Sequence, residues 1–465
     1  MPMIVDTTYS RIEKLFDRES FTLFNPGKNN GFVTGYGNVD GMEVMASFID
    51  PDNSAESSFI ALQTHLALLE NALGKKVPMV FVMDVPAQHK TADQSPFPKD
   101  PIKLLADKNG MGRMFSTHAR LSGKVPQVVV VLNRLGAALT FPVALCDAAV
   151  MVESAGMSIG RPDVVEKICG IPVDYTELGS ASMHYATSGS IDHVAADEAE
   201  AFAWVRHYLS CMIQDKKKDY APPEPDEAAL EKTIPANLNM AFDTHEVIRG
   251  IADAGSLIEL RAGIARELIT GFVRIEGRVV GVIANNSSIR GGLFFPETCR
   301  KSSRFISICD SFGIPLVFLA DDAGFMVGPQ VEQAGVIREA SLLFSTIANA
   351  AIPKLSVVLR RNYTAGVYAM AGPGFDPDRF IALPGAVISI YGKGVAEKLS
   401  SRGFDDIENE AMLEMMRGAE DPYKLLEMGL IDEVIDIRSL RATIVAFLDR
   451  VSGRITKSGK PVLIV

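Results

Sequence analysis

The chain repeats itself at about half its length. VTGYGNVDG from Val33 matches ITGFVRIEG from Ile269 in the second half of the chain. Three more pairs follow in the same order: VPMVFVMD from Val77 with IPLVFLAD from Ile314, VPQVVVVL from Val125 with IPKLSVVL from Ile352, and Glu166-Lys167-Ile168 with Glu397-Lys398-Leu399. Because the order is kept and the offset between partners stays near half the chain length, we predict two homologous domains, residues 1–235 and 236–465.

The predicted division falls at the end of a segment that is rich in Pro and Glu. Residues 219–235 read DYAPPEPDEAALEKTIP, a composition typical of a linker. In each half, apolar strands alternate with helical segments, which indicates crossover connections and a largely parallel sheet. A hairpin is predicted ahead of each sheet, at Asp40-Gly41 in the first half and at Glu276-Gly277 in the second.

Composition argues against several classes of protein. The formal net charge of −11 argues against a general nucleic-acid-binding surface. The five cysteines are scattered and form no CxxC pair, so neither a zinc centre nor a disulfide framework is indicated. No apolar run approaches the length of a membrane span, and the first residues do not resemble a secretory leader. We therefore expect a cytoplasmic protein with reduced thiols.

Each half has a strand followed by a turn of small residues. Residues 355–359 form an apolar strand that is followed by two arginines and then by Thr364-Ala365-Gly366. In the first half, residues 125–132 lead to Gly136-Ala137-Ala138. Such turns leave backbone N–H groups unpaired, and these groups can bind a developing oxyanion. Close packing of a helix on a sheet is the alternative for one turn, whereas two turns at matched positions favour two oxyanion holes.

No side-chain catalyst is apparent in the sequence. It contains no GxxxxGK[ST] loop and no HExxH pair. His184 and His193 form the one local histidine cluster, and structural hydrogen bonding is the favoured interpretation. Residues 86–114 contain several prolines and lysines and predict a long loop, which either contacts a phosphorylated ligand or is simply solvated. Backbone donors therefore remain as the candidate catalytic groups.

Segments spread over nearly the whole chain resemble the carboxyltransferase subunits of biotin-dependent acyl-CoA carboxylases and their relatives. The similar segments are RIEKLFDRESF at Arg11, VTGYGNVDG at Val33, HYATSGSIDH at His184, ITGFVRIEGRVVGVIANN at Ile269, the acidic loop with Gly324-Phe325, and DPYKLLEMGLIDEVI at Asp421. The resemblance implies an α/β fold of two homologous crotonase-like (ClpP/crotonase) domains. Each would be a ββα spiral with a parallel sheet flanked by helices.

The resemblance also implies a reaction and its partners. The first domain would hold an acyl-CoA, and the second would hold biotin that a carrier partner delivers, since the chain has no Met-Lys-Met biotinylation site. A carboxyl group would pass between carboxybiotin and the acyl-CoA through a thioester enolate. The implied partners are a biotin carboxyl carrier protein and a biotin carboxylase subunit, and the implied assembly is a homo-oligomer of head-to-tail dimers, up to a hexamer. A biotin-linked acyl-CoA decarboxylase subunit and a non-catalytic assembly subunit remain open alternatives.

By position, Ala137 and Ala138 match the family's first pair of oxyanion-hole donors, whose N–H groups hold the thioester carbonyl. Ala365 and Gly366 match the second pair, which holds the ureido carbonyl of biotin. The resemblance places five further residues against the substrates, and no metal ligand is implied. They are Gly136, Gly324, Phe325, Thr364 and Tyr368.

Two positions bear on the choice of acyl group. At the position of Tyr368, methylcrotonyl- and glutaconyl-type members of the family have Tyr, whereas propionyl-type members have Asp. After Asp84, where the family has a glycine-rich loop against the acyl-CoA, this chain reads VPAQHKTADQSPFPKDP. The resemblance therefore favours the methylcrotonyl- and glutaconyl-CoA-like branch without identifying the acyl group.

Overall fold

The structure, a computed structural model, describes residues 6–24, 31–49, 58–85, 101–212, 221–224, 227–390 and 421–465. The chain divides into two compact units. One comprises Met1–Ile213 with Gly459–Ile464, and the other comprises Gln214–Ser458 with Val465. The predicted linker is partly helical, because the sequence EAALEKT favours the helix Glu227–Thr233. The functional division at residue 235 stays a prediction.

The first unit is built on a mixed seven-stranded sheet. In spatial order its strands are β1 (Thr22–Leu23), β2 (Phe32–Val39), β3 (Met42–Ile49), β4 (Met79–Met83), β5 (Gln127–Val131), β7 (Ala148–Val152) and β9 (His193–Ala195). β6 (Arg134–Gly136) and β8 (Gly156–Ser158) form a separate parallel pair. β1, β2 and β3 pair antiparallel, and the remaining neighbours pair parallel.

The second unit repeats this order. Its path is β10 (Ile258–Glu259), β11 (Leu268–Ile275), β12 (Arg278–Asn285), β13 (Leu316–Asp322), β14 (Lys354–Tyr363), β15 (Arg379–Ala382) and β17 (Glu433–Val434), while β16 (Val387–Ser389) pairs with the end of β14. The first three strands are again antiparallel and the others parallel. The prediction of two homologous α/β domains with largely parallel sheets is confirmed.

Helices cover the connections between the strands. In the described residues of the first unit the α-helices are Asp6–Leu15, Ser58–Lys75, Pro101–Ala106, Met111–Leu121, Phe141–Leu145, Pro162–Cys169, Tyr175–Gly179, Ala181–Met183 and Glu198–Cys211. In the described residues of the second unit they are Glu227–Thr233, His245–Ile251, Pro296–Phe312, Pro329–Gln333, Val336–Asn349, Gly366–Ala369, Pro422–Glu427 and Leu440–Val451. The predicted loop 86–114 is wrong over its second part, because Pro101 begins a helix at a position that tolerates proline. Residues 86–100 lie outside the described residues. Across the described ranges, no helix has the length and hydropathy to cross a membrane.

The duplication extends to individual hydrogen bonds. Asp17 accepts bonds from the N–H groups of Asp40-Gly41 at 3.0 and 2.8 Å, and Asp253 accepts from Glu276-Gly277 at 3.0 and 2.8 Å. Three further contacts are matched between the units. Arg206 donates to Asp17 in the first unit, and Arg441 donates to Asp253 in the second. The Gln127 and Ala149 N–H groups donate to Asp147 and Asp192, and their counterparts, the Lys354 and Phe380 N–H groups, donate to Asp378 and Asp432. Both predicted hairpins are present, and each is closed by a carboxylate at the matched position.

The central strands of the second unit are buried along almost their whole length. All seven residues of β13 are buried, and nine of the ten residues of β14 are buried. Val282, Leu319 and Val357 lie with Phe447 in one hydrophobic cluster. In sheets of this kind, ligands bind beyond the carboxyl ends of the parallel strands. The turns that follow β6 and β14 are therefore the candidate positions for a ligand-binding site.

Candidate active site

The second turn begins with a non-glycine residue in the left-handed region. Thr364 follows β14 with φ of +50°, and its N–H donates to the Ser389 carbonyl at 2.9 Å. Ala365 returns to a right-handed conformation, with φ of −70°. Within the described ranges, neither the Ala365 nor the Gly366 N–H has a backbone or side-chain acceptor. Two consecutive amides without an acceptor are an arrangement that a bound oxyanion would satisfy.

The first turn has the same geometry. Gly136 ends β6, and Ala137 follows with φ of +50°. The Ala137 N–H donates to the Ile159 carbonyl at 3.2 Å, just as Thr364 uses its own N–H. The Ala138 N–H has no acceptor in the described part of the chain, and Leu139 lies within the 3-10 helix Ala137–Thr140.

The geometry of the first turn bears on the predicted donor pair, Ala137 and Ala138. Ala137 was expected to donate to a substrate, but its N–H is already bonded to the protein. The offset that relates Val125 to Ile352 makes Ala137 the counterpart of Thr364. The pair equivalent to Ala365 and Gly366 is therefore Ala138 and Leu139, and Ala137 shapes the turn.

The helix expected after the second turn is very short. Gly366–Ala369 is four residues long, because Ala371 adopts φ of +52° and Gly372 and Pro373 follow it. A single turn of helix carries little macrodipole. Any oxygen held here is stabilised by the two N–H groups themselves.

The loop containing Gly324 packs directly against the second turn. Gly324 has φ of +93°, and a Cβ at this position would lie 2.5 Å from Thr364 Oγ1. The Gly324 carbonyl accepts a bond from the Phe294 N–H at 3.0 Å. Both the dihedral angle and the close approach therefore require glycine here.

A set of aromatic rings continues from this loop to the short helix. Phe325 stacks on Phe294 with ring centroids 5.2 Å apart and meets Phe344 at 6.1 Å. Phe344 lies 6.0 Å from Tyr368 and 5.8 Å from Phe375. The Tyr368 side chain is half exposed, so a ligand can reach it. The second-unit residues predicted from the sequence are thus brought together around one turn.

Asp321 forms a buried ionic cluster beneath the second turn. Its carboxylate accepts bonds from Arg360 Nη2 at 2.7 Å and from Arg361 Nε at 3.0 Å. Burial by itself would raise the pKa of Asp321, but the two guanidinium groups outweigh it and lower the pKa. Asp321 is therefore an ionised group that joins the end of β13 to the end of β14.

Asp322 has the opposite electrostatic environment. It is fully buried, and in the described part of the chain no cationic side chain lies within ion-pair distance of it. Burial raises its pKa to about 8, although the Gly324 N–H, which donates to Asp322 Oδ1 at 2.8 Å, works in the other direction. A Cβ on Gly366 would overlap Oδ1. The carboxyl group thus lies directly against the backbone of the second turn.

The sequence predicts a loop at Asp321 and Asp322 and no role for Arg360 and Arg361. The structure assigns the two acids to the end of β13 and the two arginines to β14. Two acids at the end of one apolar strand and two arginines directly after the apolar residues of the next were a usable signal, since the carboxyl ends of adjacent parallel strands lie at the same edge of a sheet.

His184 and His193 of the first unit have structural partners. His184 Nε2 is bonded to the Met157 carbonyl at 2.8 Å, and Nδ1 lies 2.9 Å from Ser188 Oγ. His193 stacks on Trp204 at 5.5 Å. These contacts agree with the structural role expected from the sequence. Among the described residues, no cluster of three or more His, Cys, Asp or Glu side chains could hold a metal ion.

Known proteins resemble this chain over most of its length. A family model described as the carboxyl transferase domain matches residues 5–456. The chain is 36% identical to the uncharacterized carboxylase YngE of Bacillus subtilis, over 89% of this chain and 82% of that protein. It is 31% identical to the biotin-dependent 3-methylcrotonyl-coenzyme A carboxylase beta1 subunit of Mycobacterium tuberculosis, over 86% and 79%. Transcarboxylase 12S, solved as a hexamer assembly with hydrolyzed methylmalonyl-coenzyme A bound, has a TM-score of 0.86 and 29% identity, over 96% of this chain and 90% of that one.

Gly366→Ala should lower the free energy of unfolding by about 1–3 kcal/mol, because the added methyl group overlaps the Asp322 carboxyl. Gly374→Ala is the control, since a Cβ there meets nothing within 4 Å. Adding Asp322→Ala to Gly366→Ala should restore part of the loss. Urea denaturation followed by circular dichroism measures all three, and equal stability of the two single variants would contradict the packing described.

Proposed function

The chain belongs to the carboxyl transferase family, and from this premise we propose that it transfers a carboxyl group between carboxybiotin and an acyl-CoA. The names of the relatives support this activity, since they include methylmalonyl-CoA carboxyltransferase and methylcrotonyl-CoA carboxylase subunits. The observation that carries the proposal is the pair of equivalent turns, in which the N–H groups of Ala138, Ala365 and Gly366 lack an acceptor in the described structure. The reaction needs two such sites, because negative charge develops on two different carbonyl oxygens.

The first turn suits the acyl-CoA. When the proton on the carbon next to the thioester is removed, charge moves to the thioester oxygen. The Ala138 and Leu139 N–H groups would donate to that oxygen. The turn is held in place by the Ala137 N–H on Ile159, so the donors need no reorganisation as charge develops.

The second turn suits the ureido group of biotin on a carrier protein. The group is planar and has one carbonyl oxygen, which matches two adjacent N–H donors beside the half-exposed Tyr368 ring. Biotin supplies the activated carboxyl group when it is bound. The Ala365 and Gly366 N–H groups would hold its carbonyl oxygen, and the rings of Phe344 and Tyr368 would help to keep water from the reacting atoms.

The reverse direction is the second candidate. A relative named methylmalonyl-CoA decarboxylase subunit alpha, from Veillonella parvula, is 28% identical over 96% of this chain. Both directions pass through the same transition state, so the same four N–H groups serve either one. The direction of net transfer therefore follows the supply of carboxylated carrier and of carboxylated acyl-CoA.

We also propose that the chain functions as a homo-oligomer, with a biotin carboxyl carrier protein and a biotin carboxylase subunit as partners. The 12S relative, whose structure is described as a hexamer assembly with substrate binding to a multienzyme core, supports this. Light scattering at micromolar concentration should give a mass that is a multiple of the chain mass of 50.3 kDa. A monomeric mass would refute the proposal.

Acyl-CoA thioesters should raise the thermal unfolding midpoint. A ligand present at 100 times its Kd, and bound only by the folded protein, adds about 2.7 kcal/mol of stability. Tyr368 predicts larger shifts with methylcrotonyl- or glutaconyl-CoA than with propionyl-CoA, and free acids are the control. No shift with any thioester would favour a non-catalytic assembly subunit.

Replacing single main-chain amides by esters should separate the two half-reactions. Lactic acid at Ala365 removes one N–H while keeping the methyl group, and it should slow decarboxylation of carboxybiotin about 100- to 1000-fold. Lactic acid at Ala138 should instead slow exchange of the acyl α-proton with deuterium.

The same replacement at Ala137 is the matched control, because that N–H serves the fold through Ile159. It should lower stability without a selective effect on either half-reaction. Full activity of both test variants in both assays would exclude the oxyanion-hole mechanism.

A further inference from the structure

The backbone of the second turn rests on a carboxyl group that the first turn lacks. Asp322 Oδ1 accepts the Gly324 N–H at 2.8 Å, and the same carboxyl lies against Gly366, where only the absence of a Cβ makes room for it. One side chain therefore touches both the Gly324 loop and the proposed donor turn. By the offset that relates Val77 to Ile314, the first-unit counterpart of Asp322 is Val85.

The surroundings of this carboxyl leave part of its bonding capacity unused. Asp322 Oδ2 is buried without a partner in the described structure, and so are both amide atoms of Asn362, its neighbour across the β13–β14 ladder. Unpartnered buried polar atoms cost stability, so their presence at one place needs an explanation. The first-unit counterpart of Asn362 is Leu135, which has no polar side-chain atoms.

We propose that Asp322 is a positioning residue for the second turn, and that it holds the turn in its active geometry while it is a neutral carboxylic acid. The proposal deepens the function proposed above and rests on it. A neutral acid can lie against the turn and the Gly324 loop, whereas a carboxylate without a counterion in this buried place cannot be stable. Ionisation would therefore push the carboxyl toward water and disturb Gly366.

The charged groups around Asp322 support the neutral form at ordinary pH. Burial raises the pKa to about 8, and the negative charge of Asp321 on the same strand acts in the same direction. Arg361 on β14 and the N–H groups of Gly324 and Tyr363 oppose the shift. Arg360 and Arg361 are both engaged by Asp321, so neither is bonded to Asp322. In the folded state Asp322 therefore keeps a proton that the unfolded chain releases at lower pH. The contribution of neutral Asp322 to folding stability is complete below the unfolded pKa and is lost as pH rises through about 8.

The two half-reactions provide an internal comparison. In the wild-type enzyme, decarboxylation of carboxybiotin should slow at least tenfold as pH rises from 7 to 9.5, while exchange of the acyl α-proton should show no matching loss. Asp322→Asn keeps an acceptor for the Gly324 N–H but cannot ionise, so this alkaline loss should disappear. Asp322→Val, which copies the first unit, removes the acceptor and should slow the biotin half-reaction at every pH.

Two measurements do not depend on turnover. Infrared spectra of the wild-type protein should contain the carbonyl stretch of a protonated carboxylic acid at pH 7, which is lost near pH 8 and absent from Asp322→Asn. Amide hydrogen exchange of residues 362–370, corrected for the intrinsic effect of pH, should accelerate above pH 8 in the wild type alone. If wild type and Asp322→Asn were both active in the two half-reactions and showed the same alkaline profile, the positioning role would be overturned. The proposed function would remain intact. If neither half-reaction occurred, the proposed function would fail, and the spectra and exchange rates would still decide the state of Asp322.

Discussion

The carboxylate of Asp321 between two guanidinium groups is the interaction on which the second turn depends. Burying a charge costs several kcal/mol unless it is paired with good geometry, and here Arg360 and Arg361 lie 2.7 and 3.0 Å from it. Arg360 also donates to three backbone carbonyls, those of Pro235, Asn237 and Met240. The ends of β13 and β14 are therefore joined to each other and to the segment before the second sheet, and the turn starts from a fixed point.

The first unit uses a carboxylate at the matched position with different partners. Asp84 directly follows β4, and Asp321 is the last residue but one of β13. Asp84 pairs with Arg11 at 2.8 Å and accepts a longer bond from Asn133 at 3.3 Å. Asn133 replaces the arginine found at position 360. A carboxylate at this edge is thus common to both units, whereas its counterions diverged after duplication. This allowed the neighbourhoods of the two turns to become chemically different while the sheets stayed alike.

Local sequence patterns predicted the features that depend on neighbours in the chain. Asp40-Gly41 and Glu276-Gly277 specify hairpins by themselves, and the ordered repeats predicted two domains with matched turns. The N–H groups of the first turn that the fold leaves available could not be predicted in the same way. The Ala137 N–H is bonded to the Ile159 carbonyl, which directly follows β8. β8 pairs with β6 although the two strands are far apart in the sequence. The small residues around Ala137 show where the turn is, but they do not show which N–H group the protein already uses.

Asp322 is recognised only in three dimensions for the same reason. An aspartate at the end of an apolar strand is ordinary, and a glycine at the start of a short helix is ordinary too. They become meaningful together, because a Cβ on Gly366 would occupy the place of the Asp322 carboxyl. In the first unit Leu139 has a Cβ and position 85 is valine, so both members of the pair are absent. A duplicated turn can acquire such a carboxyl only where the facing residue has no side chain, and this mutual requirement links the two positions more closely than either sequence pattern indicates.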